Sequence, residues 1–260
     1  MIRAKKSYGQ HFLNNEHTAQ KIAESIGTRS DFTNLLEIGP GQGVLTNHLM
    51  DGDWNFYAVE ADGDMIEALC QRFPEMEERF IKYNFLRFDP TKVFGDEQFG
   101  LIGNYPYNIS SQIIFRMLKY RQQIPEMVGM FQKEVARRIT ADPGSKEYGV
   151  ISVLAQVYYR CDYLFKVDKG QFTPPPKVQS AVIRCTRIDN AQPGLDESLF
   201  RSVVKITFNN RRKMLRNTLK QFLNGSGVLD NPYFEKRPEQ LSVEEFVKLT
   251  EIIQKYRENQ

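Results

Sequence analysis

Short apolar runs alternate with stretches of helical period along the first half of the chain. Residues 35–38, 56–59, 80–84, 99–103 and 126–131 are largely apolar. Their length and continuity predict strands buried on both faces of a parallel sheet. Between them, residues 16–26, 44–50, 64–73 and 110–120 read as helices with one buried face. Ala19, Ile22, Ala23 and Ile26 mark that face in the first, and Ile113, Ile114, Met117 and Leu118 in the last. Residues 133–140 predict a basic helix. The β-α alternation over residues 34–140 predicts a doubly wound parallel sheet. Residues 150–155 then predict a helix, and 157–167 and 178–188 two more strands. The segment Gln171-Phe-Thr-Pro-Pro-Pro-Lys177 joins them, and its prolines give a stiff polyproline rod. Such a rod is expected to hold Phe172 at a pocket mouth, unless it is only a connector. Residues 189–194 interrupt the pattern, and helices follow at 198–209, 215–222 and from Ser242 to near Tyr256. The expected organisation is an α/β domain with an N-terminal arm over residues 1–189 and a small all-helical domain over 190–260.

Composition restricts the class. Hydrophobic residues are 41% of the 260 and charged residues 26%, as in ordinary globular proteins. There is no apolar run of about 18 residues to span a membrane. The basic start, Met1-Ile-Arg-Ala-Lys-Lys-Ser, lacks the apolar stretch of a signal peptide. Cys70, Cys161 and Cys185 are far apart, as in a reducing, cytoplasmic setting. His11, His17 and His48 show no metal-ligand spacing, so no metal is expected. Net charge is only +3, so charge informs only where it clusters. It clusters once: Arg201, Lys205, Arg211, Arg212, Lys213 and Arg216 span one helix-to-helix joint with no acid among them. That joint is expected to contact a polyanion.

Candidate chemistry sits at the ends of the predicted strands. Asn104-Tyr-Pro-Tyr107 follows the run 99–103, at the carboxyl end where open α/β sheets bind ligands. Proline carries no N–H and keeps Tyr105 extended, leaving carbonyls free to accept. Asn104 adds a neutral amide oxygen, and Tyr107 a flat ring. Together they suit an exocyclic amine on a planar base, although the same residues also make plain turns. Gly39-Pro-Gly-Gln-Gly43 follows the first strand and permits a tight turn and close backbone approach to a ligand. Val44 stands where a dinucleotide fingerprint needs its third glycine, which disfavours a nicotinamide oxidoreductase. Glu60 ends the next strand roughly twenty residues on, where a carboxylate takes ribose hydroxyls. Asn84 ends the third.

These motifs, with Lys6-Ser-Tyr-Gly-Gln-His-Phe-Leu13, Phe172-Thr-Pro-Pro-Pro-Lys-Val-Gln-Ser-Ala-Val182 and Arg211-Arg-Lys-Met-Leu-Arg-Asn217, recur here in an order specific to one family. The chain resembles, nearly end to end, the ribosomal-RNA adenine N6-dimethyltransferases, most closely their bacterial small-subunit members. The resemblance implies a class I, Rossmann-like methyltransferase sheet of seven strands and a helical C-terminal domain. It implies S-adenosylmethionine as methyl donor, lined by His11, Leu13, Gly39, Gly41, Glu60, Asn84 and Asn104. Catalysis would fall to Asn104, Tyr105, Pro106 and Tyr107, with Phe172 closing the other face of the target base. The substrate would be two adjacent adenines in a hairpin loop near the 3′ end of small-subunit rRNA in the pre-30S particle. Each would be dimethylated late in assembly by an enzyme taken as a monomer. Asn84 stands where the family usually has aspartate, Tyr105 for leucine or isoleucine, and His11 for a frequent asparagine. The competing readings are a large-subunit rRNA methyltransferase of the macrolide-resistance type and a non-catalytic assembly factor on the same fold.

Overall fold

The computed structural model describes residues 9–191, 194–223 and 227–259. The basic residues Arg3, Lys5 and Lys6 of the arm lie outside them, as does most of the 224–227 loop. The first elements are β1 (Phe12–Leu13), α1 (Glu16–Ala23), β2 (Asn34–Ile38), α2 (Val44–Leu49), β3 (Asn55–Glu60), α3 (Gly63–Arg72), β4 (Phe80–Lys82) and α4 (Thr91–Phe94). Next come β5 (Phe99–Asn104), α5 (Ser110–Lys119), β6 (Glu126–Gln132), α6 (Lys133–Ile139), α7 (Val150–Gln156), β7 (Tyr159–Val167), β8 (Phe172–Thr173) and β9 (Ser180–Arg187). The last are α8 (Glu197–Asn209), α9 (Leu215–Thr218), α10 (Lys220–Leu223) and α11 (Val243–Glu258).

Seven strands form one sheet in the order β4-β3-β2-β5-β6-β9-β7. The five from β2 to β6 pair in parallel, and β9 joins β6 antiparallel. β2 and the first five residues of β5 are buried throughout, as their largely apolar runs predict. The chain runs outward from β2 to β4, then crosses back to lay β5 against β2. Strand order therefore reverses between β2 and β5, and their carboxyl ends flank the crevice where such sheets bind ligands. The glycine loop leaves β2 there, and Asn104-Tyr-Pro-Tyr107 leaves β5.

The third strand stops at Lys82, short of the expected residue 84. Asn84 instead caps a 3-10 turn at Phe85–Arg87, its Oδ1 accepting from Leu86 N at 2.9 Å. A small second sheet has no counterpart in the sequence pattern. β1 pairs antiparallel with β8, Phe12 opposite Thr173 and Leu13 opposite Phe172. That register turns Phe172 into the apolar core with Leu13, Val167 and Val182, where it is 2% exposed.

By compactness the chain divides into two units, Met1–Ala136 with Arg160–Arg187, and Arg137–Tyr159 with Ile188–Gln260. Residues 137–159 thus group with the C-terminal helices although they precede β7. In this second unit Tyr148 meets Phe208 edge-on, with centroids 5.9 Å apart, and Phe208 stacks on Phe246 at 5.6 Å. Asp196 caps α8, and Ser242 forms a reciprocal capping box with Glu245 at the start of α11. The helix expected over 215–222 is two short helices, α9 and α10. No helix among the described residues is long and apolar enough to cross a membrane.

Tyr105 is the largest side chain under the quartet, and it is 1% exposed. Its ring lies in a slot made by two cross-strand glycines, Gly103 of β5 and Gly129 of β6. A Cβ on Gly129 would fall 2.0 Å from the ring, and one on Gly103 2.7 Å from it. The phenol donates to Val128 O at 3.3 Å, and Phe131 meets the ring edge-on at 5.0 Å. Forcing one methyl into such a packed slot costs about 1–3 kcal/mol. We expect Gly129→Ala to destabilise by that amount, and Tyr105→Leu in the same chain to recover most of it. Urea unfolding of the two single variants and the double variant measures the coupling. Strictly additive losses would show that ring and glycines do not share one space.

Candidate active site

The loop after β2 turns tightly, with Gly43 N donating to Pro40 O at 2.9 Å. Gly41 has φ +55° and Gly43 φ +77°, conformations that side chains resist. A Cβ on Gly43 would also meet Phe73 at 2.7 Å, so this glycine lets α2 start against α3. Glu60, at the end of β3, is 8% exposed. Its two carboxylate oxygens accept from Gly41 N at 3.2 Å and Asp62 N at 2.9 Å. Burial raises its pKa against the lowering effect of those bonds. Glycine loop and carboxylate are thus braced as one piece.

Around this piece lies a cavity of about 290 Å³. His11, Leu13, Gly39, Gly41, Glu60, Asn84 and Asn104, the residues expected at the cofactor, all line it. Tyr105, Pro106 and Tyr107 line it too. Phe172 does not. Its expected place at the mouth is corrected by its pairing with Leu13, which points the ring into the core.

The N-terminal arm closes one side of the cavity. Gln10 Nε2 donates to Asp62 Oδ2 at 3.0 Å, and His11 Nδ1 lies 2.8 Å from Pro174 O. Asn14 Nδ2 donates to Thr173 Oγ1 at 2.9 Å. The proline segment therefore anchors the arm. In turn the arm orients the quartet, because Asn104 Nδ2 donates to His11 O at 3.1 Å. With its nitrogen engaged there, the amide presents Oδ1 as the free end. The Pro106 carbonyl accepts from Ile109 N at 3.2 Å and from Ser110 Oγ. The Tyr105 carbonyl accepts from no group among the described residues. Of the two carbonyls flanking the Tyr105–Pro106 bond, only that of Tyr105 is unspent. Tyr107 donates or accepts at Ser180 Oγ (2.5 Å), and its ring stacks on His11 with centroids 5.4 Å apart at 27°.

The basic joint belongs to the second unit and is less uniform than its sequence. Arg211 donates to the carbonyls of Ser145 and Lys146 at 2.9 and 2.8 Å and lies 3.9 Å from Glu239. Arg216 pairs with Glu235 at 3.3 Å. Those two arginines are tied into the fold by acids far along the chain. Arg201, Lys205, Arg212 and Lys213 are exposed and form no ion pair among the described residues.

The sequence profile described as "Ribosomal RNA adenine dimethylase" matches residues 1–255. The chain belongs to the ribosomal RNA adenine dimethylase family. A Parabacteroides distasonis protein named ribosomal RNA small subunit methyltransferase A is 50% identical, over 100% of this chain and 97% of its own length. The Flavobacterium johnsoniae protein of the same name is 47% identical over 97% of each chain. Among solved structures, a dimethyladenosine transferase from Plasmodium falciparum superposes with a TM-score of 0.77 at 24% identity, covering 94% of this chain and 98% of that one. The 23S rRNA methyltransferase ErmE superposes at 0.71 with 25% identity, covering 94% and 99%. Family and neighbours bear out the resemblance read from the motifs, the class I methyltransferase fold and the enzyme class.

Among the lining residues not picked out as site residues from the sequence, one carries a buried charge-bearing group. Glu37, inside β2, is fully buried and faces the cavity. Thr46 Oγ1 donates to it at 2.7 Å. Burial raises its pKa to about 8, against the lowering effect of Thr46 and with a smaller push from Glu60. The signal was present, an acid inside an otherwise apolar strand, which a solvent-facing position does not require. A carboxyl raised in the folded state keeps a proton that the unfolded chain releases. It therefore costs stability as pH climbs from its ordinary value towards about 8. Glu37→Gln keeps the Thr46 bond without the charge. The variant should match wild type near pH 5 and exceed it in Tm increasingly up to about pH 8. Calorimetric scans across that range check this; parallel Tm curves would contradict it.

Proposed function

We propose that the chain transfers methyl groups from S-adenosylmethionine to N6 of two adjacent adenosines in the 3′-terminal hairpin loop of small-subunit rRNA. Each adenosine becomes N6,N6-dimethylated during subunit biogenesis in the cytoplasm, with the protein acting as a monomer. The observation that carries this reading is the pair of unspent acceptors at the cavity, Asn104 Oδ1 and the Tyr105 carbonyl. An adenine amine offers two N–H donors, and its lone pair is delocalised into the ring. Accepting both hydrogens favours a pyramidal nitrogen and aims its lone pair, by positioning and preorganised dipoles.

The cavity's residues fit the methyl donor. The glycine turn is a cradle that side chains would fill, and Glu60 is a braced carboxylate at the strand end that meets ribose hydroxyls in such folds. Asn84 Oδ1 retains a second lone pair beyond its Leu86 bond and would accept from the adenine amine of the cofactor. When bound, S-adenosylmethionine supplies an electrophilic methyl on a sulfonium. Tyr107 would stack on the target base, which is drawn from a loop where unstacking costs little. Neutral acceptors suit a place beside a cation, since a carboxylate there would form an ion pair instead. The relatives named for the small subunit, at 47–50% identity, support that target over the large-subunit alternative. The second unit is read as the RNA-binding domain, gripping rRNA phosphates.

Methyl transfer from labelled donor to small subunits from cells lacking this gene tests the reading. At saturating cofactor, Asn104→Ala should lose most of its single-turnover rate, because its acceptor acts in the transition state. Near-normal rates would remove Asn104 from catalysis. Glu60→Ala should weaken the donor by roughly 1.5–3 kcal/mol, the scale of a charge-assisted hydrogen bond. Unchanged affinity by calorimetry in a folded variant would remove it from the site.

For the RNA interface, the paired arginines are set aside. Arg212→Gln with Lys213→Gln should weaken subunit binding and flatten its salt slope by about two, one for each phosphate left without its cation. Wild-type salt dependence would mean that these side chains only solvate the joint.

A further inference from the structure

Two adjacent adenines must be modified, yet the cavity holds one Asn104 and one free Tyr105 carbonyl. Only one adenine can occupy those acceptors at a time. On the proposed function, the neighbouring nucleotide lies outside the cavity, one phosphodiester link from the mouth, whenever its partner is within.

The surface beginning at that mouth is α5. Asn108 lines the cavity, and from it an exposed stripe runs along the helix through Ser111, Gln112, Phe115 and Lys119. Steps of three and four residues link its members, so they share one face. Phe115 lies roughly 10 Å along from Asn108 at the helical rise. The opposite face, with Ile113, Ile114, Met117 and Leu118, is buried, so the stripe is not needed to hold the helix. Asn108, Ser111 and Gln112 make no side-chain hydrogen bond among the described residues. Phe115 is 37% exposed. Lys119 is exposed, with its charge near Asp89 and its amine 5.1 Å above the Tyr120 ring. Arg116, one step round the helix, is spent otherwise. It donates to Phe88 O and lies over the Phe85 ring at 5.7 Å, tying α5 to the turn that carries Asn84. The stripe thus rests on a braced helix.

Open hydrogen-bonding side chains, then a part-exposed aromatic ring, then a cation, with no acid on the stripe, match single-stranded RNA. Bases stack on aromatics, base edges pair with amides and hydroxyls, and phosphates meet lysine. A part-exposed phenylalanine alone is ordinary on a solvated face; here it lies between open polar groups and a cation on a line that leads from the cavity. We infer that the α5 stripe is a platform for the rRNA strand next to the target adenine, with Phe115 stacking the neighbouring base and Lys119 contacting its phosphate. Phe115 is a positioning residue here: it holds the second adenine in reach while the first reacts.

The test uses the full chain, S-adenosylmethionine and unmethylated small ribosomal subunits, with methylation at each adenine counted separately by mass spectrometry. Phe115→Ala and Phe115→Leu should raise KM for subunits roughly tenfold, the effect of removing one base stack. Both should lower the ratio of second-site to first-site methylation, while the rate at saturation and cofactor affinity stay near wild type. Phe115→Trp should restore KM and ratio, which an apolar packing role would not do. Lys119→Gln should flatten the salt slope of subunit binding by about one. Folded Phe115→Ala with wild-type KM and site ratio overturns the platform alone, as does full rescue by leucine. A wild-type chain that methylates neither adenine overturns the function reading and the platform with it.

Discussion

The hydrogen bond from Asn104 Nδ2 to the His11 carbonyl is the contact on which the site depends. It ties the amide nitrogen to the backbone and leaves the amide oxygen as the free acceptor of a residue that lines the cavity. A free asparagine amide could turn either end towards a substrate amine, and its NH₂ end would repel one. The bond exists only because the arm is in place, and the arm is held from three directions. β1 forms a ladder with β8, His11 meets the Pro174 carbonyl, and Gln10 meets Asp62 beside the glycine loop. Glycine loop, proline segment and quartet are therefore joined through five residues of arm.

Beneath the site, packing does the same service for the backbone. Tyr105 is buried in its glycine slot, so the peptide that carries the unspent carbonyl cannot shift without moving a large ring through a filled core. A leucine or isoleucine in its place would need less room. The pair Gly103 and Gly129 is thus the local companion of this chain's tyrosine. Glu37 and Glu60 place two acids next to the cavity, both made harder to ionise by burial. Holding both in the fold costs stability as pH rises above the ordinary carboxylate range.

Local patterns revealed much of this. Strands β2, β3, β5 and β6 were legible because central parallel strands are largely apolar on both faces, while the end of β4, at the sheet edge, was not. The glycine loop, Glu60 and the quartet were legible because each sits directly after such a strand. Features that depend on residues distant in sequence were not. The β1–β8 ladder joins residues about 160 positions apart through two-residue strands, too short to show a period. Its register decides that Phe172 points inward, which a stiff polyproline rod alone does not specify. Residues 137–159 look like the end of the sheet domain, but their contacts lie with the later helices. The basic joint looked unopposed because Glu235 and Glu239 lie well downstream of the arginines they meet.

The central claim is that the acceptors held by the arm and by Tyr105 act on adenine N6 in small-subunit rRNA. Mass-spectrometric mapping of rRNA from cells lacking this gene, with and without its return, tests that most directly. The account predicts N6,N6-dimethyladenosine at two adjacent positions near the 3′ end of the small-subunit rRNA, lost with the gene and regained with it. Unchanged dimethylation without the gene, or a loss confined to the large-subunit rRNA, would contradict it.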